Sequence, residues 1–211
     1  MSPEDKDPVN LIITGVGGQG NILISRLIGE TLVDNGCFVT IGEVYGLSQR
    51  GGSVASHVRI AKDEMYSPLT PAGRADIILG LEPLEALRIA TRFANRDTVV
   101  VSNTRPIYPV SAAVGEAEYP TLEDIKQSFG RISKRAWFIG ASDIAIELGA
   151  PLLTNIVATG ALIATGLLPL RKQMFEERLR LNFQKQKLAL NMEAFQRGFD
   201  DMTAQLRKEK G

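Results

Sequence analysis

The chain has 211 residues, with 24 basic and 24 acidic side chains and a formal net charge of +0. That balance argues against a general electrostatic grip on nucleic acid or an anionic membrane. A single cysteine, Cys37, excludes an internal disulfide and an iron–sulfur cluster ligated by this chain alone, and a single histidine, His57, excludes the usual zinc ligand sets. The length suits one large domain, or a domain with a helical appendage.

The N-terminus, Met1 to Pro8, is polar and charged, with no signal-peptide core. Leu11 to Thr14 reads as a strand, and Asn21 to Asp34 as a helix closed by Asn35-Gly36, a common C-cap pair. Phe38 to Ile41 is a second strand. The segment Gly42 to Ser53 has no clear period, and Val54 to Ile60 alternates as a strand with one wet face does. Ala75 to Leu81 is an apolar strand, followed by a helix over Pro83 to Asn95 with Pro83 in its first turn. Thr98 to Ser102 and Ala136 to Gly140 are further strands, and Asp143 to Leu148 is a helix closed by Gly149-Ala150-Pro151. Thr154 stands where a cap for the next helix would be. The longest apolar stretch, Ile156 to Leu170, is broken by Thr159, Gly160, Thr165, Gly166 and Pro169, so it reads as a buried core helix and not as a membrane span. A soluble cytoplasmic protein is the expectation.

Strands alternating with helices imply parallel crossover units. The expected fold is α/β, a doubly wound, Rossmann-like, mostly parallel sheet with an antiparallel excursion near Val54 to Ile60. Residues 9–169 form this domain. Residues 170–211, with Met174, Leu179, Phe183, Leu188, Phe195 and Phe199 set among charges, form a C-terminal pair of amphipathic helices. Periodicity leaves open whether these pack on the domain or on a partner.

Chemistry concentrates in two glycine-rich loops. The first, Gly15-Val16-Gly17-Gly18-Gln19-Gly20, joins a strand to a helix, where unpaired backbone N–H groups and partial positive charge suit an anion. Two readings stand for it: a dinucleotide site, which Glu43 as a ribose-binding acid favours, or only a tight turn. Gln19 places an amide donor at the helix start. The second loop holds Ser48-Gln49-Arg50-Gly51-Gly52, in which Arg50 suits paired bonds to phosphate or carboxylate. A solvated turn is its plain alternative. His57 reads as a half-buried strand histidine, Cys37 as a packed thiol, and Glu82 and Glu85 as acids at a helix start. Asn103-Thr104 falls at the same presumed edge, as an interface, a turn or a ligand contact. No nucleophile, base and orienting group come together, so no catalytic residue and no metal ligand is assigned.

Gly15 to Gly20, Glu43 to Gly52, the strand that follows, Asn155 to Ala161 and Asn191 to Gly198 together resemble the gamma-type domain of 2-oxoacid:ferredoxin oxidoreductases, over roughly residues 9 to 200. A free-standing domain without a cysteine-rich extension is most similar to the beta subunits of the indolepyruvate branch. The resemblance implies a subunit, inactive alone, of an enzyme that converts a 2-oxoacid and coenzyme A to acyl-CoA and CO2 and reduces ferredoxin. It also implies that thiamine diphosphate, Mg2+ and iron–sulfur clusters reside on a large partner subunit. Carried over by position, Gly15, Gly17, Gly18, Gln19, Gly20, Ser48, Gln49, Arg50, Gly51 and Gly52 form an edge facing that partner, where coenzyme A is the implied ligand. A nucleotide-binding oxidoreductase acting alone and a purely structural scaffold subunit are the alternatives.

Overall fold

The computed structural model describes residues 6–46, 52–108 and 118–209. Six strands form one sheet: β1 (Val9–Val16), β2 (Phe38–Tyr45), β3 (Ser53–Ala61), β4 (Ile77–Gly80), β5 (Val99–Asn103) and β6 (Arg135–Ile139), in spatial order β2-β3-β1-β4-β5-β6. β1, β4, β5 and β6 pair in parallel, whereas β3 runs antiparallel to both β1 and β2. The antiparallel excursion is therefore β3, slotted between two parallel strands. The helices are α1 (Asn21–Asp34), α2 (Pro83–Phe93), α3 (Leu122–Ile132), α4 (Ala141–Glu147), α5 (Thr154–Ala164), α6 (Lys172–Asn182) and α7 (Lys185–Lys208).

The central strands are buried on both faces, which is why they read as unbroken apolar runs. The two-residue period divides them between two cores. Leu11, Ile13, Ile77, Leu79, Val99 and Val101 point into one core with α1, α4, α5, α6 and α7. Ile12, Ile78 and Val100 point into the other with α2 and α3. All of these residues except Val99 are at most 2% exposed.

Several boundaries and caps differ from expectation. β2 runs on to Tyr45, so Glu43 lies inside the strand and not after it. Thr154 is the first helical residue of α5, with Leu153 at the cap; its hydroxyl donates to Pro151 O at 2.9 Å. The apolar stretch to Leu170 is not one helix, because α5 ends at Ala164 and Gly166 turns the chain at φ 67°. Asn35 and Gly36 close α1 as expected, with Gly36 at φ 87°. α3 is an addition, begun by a reciprocal capping box between Thr121 and Asp124.

α7 lies across α5 at backbone contact. A Cβ at Gly198 would fall 1.9 Å from Val157 O, and one at Gly160 would fall 2.2 Å from Phe195 O. Phe175 of α6 and Phe195 of α7 are fully buried with their rings 5.2 Å apart. Arg178 of α6 ties back to α1 by ion pairs to Glu30 (3.2 Å) and Asp34. Among the described residues, no helix is long and apolar enough to cross a membrane.

Candidate functional site

The site is at the carboxyl edge of the parallel strands, the usual ligand edge of an open α/β sheet. β1 enters it as the turn Gly17–Gly20. Gly18 and Gly20 take φ 99° and 82°, a region that side chains with a Cβ avoid. At Gly20 the packing is as demanding as the backbone, since a Cβ would meet Asn155 Nδ2 at 2.2 Å. Gly20 is the N-cap of α1 and no side chain caps that helix, so its first N–H groups lack a side-chain acceptor.

The Gln19 amide, expected as a donor to a ligand, is used internally. Its Oε1 accepts from Val16 N at 2.8 Å and its Nε2 donates to Leu81 O at 3.0 Å. Gly15 makes room for it, because a Cβ there would lie 2.4 Å from Gln19 Oε1. The same Leu81 carbonyl accepts from Asn103 Nδ2 at 3.1 Å. Asn103 also donates to Ser142 Oγ (2.9 Å) and accepts from Ser142 N (3.2 Å). Ser142 in turn meets Thr154 Oγ1 at 3.4 Å. One polar network thus joins the glycine turn, the ends of β4 and β5, and the starts of α4 and α5. Asn103 is 1% exposed, so its expected place at this edge resolves to a structural tie.

Two clefts flank the turn. One, of about 330 Å3, lies between Gly18-Gln19, Arg105, Ile107, Ser142 and Thr154. The other, of about 320 Å3, lies between Gly17, Asn21, Ile22, Tyr45 and Val54. The starts of α4 and α5 line the first, where Arg105 adds a cation, and the start of α1 lines the second. Arg105 pairs with Asp143 at 3.3 Å, and both side chains are more than half exposed. Nearby, Glu82 caps α2 by accepting from Glu85 N at 2.7 Å, and it also accepts from Ile107 N (3.3 Å) and Tyr119 Oη. Burial and that carboxylate push the Tyr119 phenol well above its ordinary range, so it stays a donor. Glu82 thereby fixes the Arg105–Ile107 wall. Leu152, Tyr108, Ile107, Ile146 and Tyr45 are exposed around these clefts, giving the edge an apolar rim.

Of the second loop, Ser48, Gln49, Arg50 and Gly51 lie outside the described residues. Gly52 is described, and its carbonyl accepts from Gly17 N at 2.9 Å, which joins the two loops at one edge. Asn21 strengthens the joint by donating to Val54 O at 3.1 Å. Glu43 accepts from Ser25 Oγ (3.1 Å) and Ser56 Oγ (2.7 Å), so its oxygens bind α1 to β3 and not a ribose. His57 is 2% exposed; Thr70 N donates to its Nδ1 at 3.3 Å, and Phe93 packs edge-on at 5.1 Å. Burial, with Arg92 close by, lowers its pKa, so it is a neutral strand histidine. Cys37 is partly buried against the core, which raises its thiol pKa. Among the described residues, no group of three or more His, Cys, Asp or Glu side chains is placed to hold a metal ion.

A family model described as pyruvate ferredoxin/flavodoxin oxidoreductase matches residues 10–200. The chain is 38% identical over 192 residues to the indolepyruvate oxidoreductase subunit IorB of Archaeoglobus fulgidus, covering 91% of this chain and 94% of that one. It is 40% identical over 190 residues to the subunit of the same name from Pyrococcus horikoshii, covering 90% and 93%. Among solved structures, the keto/oxoacid ferredoxin oxidoreductase gamma subunit of Geobacter sulfurreducens superposes with a TM-score of 0.66 at 22% identity, covering 93% of this chain and 99% of that one. The 2-oxoglutarate:ferredoxin oxidoreductase of Magnetococcus marinus, with 2-oxoglutarate, coenzyme A and succinyl-CoA bound, superposes with a TM-score of 0.73 at 21% identity. There the match covers 95% of this chain but 32% of that longer one. The chain belongs to the pyruvate ferredoxin/flavodoxin oxidoreductase family, as a subunit of its oxidoreductase complexes.

Proposed function

We propose that this chain is the subunit without redox cofactors of an indolepyruvate-type 2-oxoacid:ferredoxin oxidoreductase, and that its carboxyl edge closes on a large partner subunit and takes part in binding coenzyme A. The partner carries thiamine diphosphate, Mg2+ and iron–sulfur clusters. The complex releases CO2 from an aryl pyruvate, forms the acyl-CoA and passes two electrons to ferredoxin in the cytoplasm. The substrate class rests on the 38–40% identity to indolepyruvate oxidoreductase subunits over nine-tenths of the chain.

The observation that carries the site is a pair of clefts flanking the glycine turn, one lined by the starts of α4 and α5 with Arg105 and the other by the uncapped start of α1. Helix N-termini and a guanidinium suit the phosphates of coenzyme A, and the apolar rim suits a protein partner. Gly15, Gly17, Gly18, Gln19, Gly20 and Gly52 supply backbone to this edge, and Ser48, Gln49, Arg50 and Gly51 complete its second loop. A scaffold reading draws on one specific fact: the Gln19 and Asn103 amides are already engaged inside the chain.

Arg50→Ala and Arg105→Ala, each assembled with the large subunit, separate the two readings. Arg105 sits in an exposed ion pair, so its loss should move stability by less than about 1 kcal/mol. Loss of one charge-assisted contact should weaken coenzyme A binding by about ten- to a hundredfold, roughly 1.5–3 kcal/mol. Weakened coenzyme A binding with unchanged subunit affinity supports the coenzyme site. Weakened subunit affinity alone supports the scaffold, and no change in either overturns the proposal for this edge.

A further inference from the structure

At the opposite, amino edge of the sheet lies a larger cleft, of about 870 Å3, between the starts of β1 and β4, the end of β3 and the segment after α2. Arg59 of β3 lines it and is 8% exposed. Its Nε donates to Asn10 Oδ1 at 2.9 Å, and its Nη1 donates to Ser67 O at 3.1 Å and Ser67 Oγ at 3.3 Å. Its guanidinium carbon lies 4.9 Å from the centre of the Tyr66 ring. Every one of these partners is neutral. Among the described residues, no carboxylate lies within 4.0 Å of Arg59, nor of Arg74 and Arg96, which line the same cleft.

Three acids, Asp7, Asp76 and Asp97, line the same cleft. Asp76 accepts from Lys6 Nζ and from Asn10 N at 2.8 Å, and Asp7 accepts from Lys62 N at 3.2 Å. Asp97 is exposed. A guanidinium does not shed its proton in a protein, and its burial is unfavourable without a counter-charge. Neutral hydrogen bonds occupy part of the Arg59 fork, and no carboxylate among the described residues bonds to it directly. Arg74 and Arg96, exposed at the rim of the same cleft, add two cations that a ligand seated against Arg59 could reach.

We propose that this cleft is an oxyanion site, which takes the phosphate or carboxylate group of a small ligand against Arg59, with Arg74 and Arg96 closing on it from the rim. The planar fork of arginine matches both oxyanions, and the volume lies within the range of small-molecule sites. The site is separate from the carboxyl edge, because the two lie at opposite ends of the same strands.

Calorimetric titration of the full chain in low-chloride buffer, with inorganic pyrophosphate and separately with succinate, tests the proposal and tells phosphate from carboxylate. The expected result is saturable one-site binding of one of the two, weakened at least tenfold in the Arg74→Ala/Arg96→Ala double variant. Both residues are exposed, so the double variant should unfold at the same temperature as the parent in the absence of ligand. Arg59→Lys, which keeps the charge but loses the fork, should weaken binding as well. Failure of both anions to bind at millimolar concentration, or binding that the double variant retains in full, overturns the proposal. The double variant should leave coenzyme A binding in the assembled enzyme unchanged, so this site and the carboxyl edge fail or stand separately.

Discussion

Gly20 shows how one residue can be fixed by backbone and packing at once. Its φ of 82° is unfavourable for a side chain with a Cβ, and Asn155 Nδ2 occupies the place where that Cβ would be. Gly18 has φ 99° but open space around it. Gly18→Ala should therefore cost only the left-handed penalty, about 1–2 kcal/mol, which is a fall of a few degrees in Tm for a chain of this size. Gly20→Ala should lose clearly more, because Asn155 must also move and its contact with Gly20 O breaks. Thermal unfolding of the two variants side by side checks this, and equal losses would mean that the Asn155 contact carries no weight. At this scale the sequence was partly legible. The glycine spacing marked the turn, and position marked His57 and Cys37 as packed residues. Partners distant in the chain were not legible. Glu43 reads as a free acid until Ser25 and Ser56 stand beside it, and Gln19 reads as a ligand donor until Leu81 O is in reach. Nothing in the sequence marks Arg105, because its cleft is assembled from residues far apart in the chain, Gly18, Ser142 and Thr154 among them.

Among the elements, the crossing of α5 and α7 is the tightest joint. Gly160 and Gly198 face backbone atoms of the other helix, which cannot rotate away as a side chain can. Gly198→Ala must push α7 off α5 and disturb the burial of Phe195 and Met202. Overpacking of this kind costs about 1–3 kcal/mol or more. Gly130 of α3 has nothing within reach of a Cβ, so Gly130→Ala should instead stabilise by about 0.5–1 kcal/mol through helix propensity. Chemical denaturation should show these opposite signs, and a neutral Gly198→Ala would contradict the close crossing. The elements themselves were largely readable, since apolar runs bounded by glycine and proline mark the strands. α3 is hard to read from the sequence although its Thr121–Asp124 box is a local signal, because its apolar face is narrow: only Ile125 and Phe129 are buried. Thr154 has the residue type of a cap but does not serve as one, because it bonds backward, to Pro151 O, and not forward into its helix.

For the molecule as a whole, the two ends of the sheet differ in kind. The carboxyl edge gathers helix starts, an uncapped glycine turn and an apolar rim; the amino edge gathers arginines and aspartates around a larger cleft. The mostly parallel sheet and the antiparallel strand β3 are legible in the alternation of the sequence, whereas the strand order β2-β3-β1-β4-β5-β6 is not. Which edge meets a partner is a property of the assembled surface, to which residues from 16 to 154 contribute. Amide hydrogen exchange on the chain, alone and assembled with its large subunit, with and without coenzyme A, tests the central claim most directly. Assembly should slow exchange at the carboxyl edge, over residues 16–22, 52–54, 105–108 and 140–154, and coenzyme A should slow residues 17–22 further. Residues 71–76 and 95–97 at the amino edge should exchange as they do in the free chain. Protection confined to the amino edge or to the outer face of α7, with the glycine turn unchanged, would contradict the account.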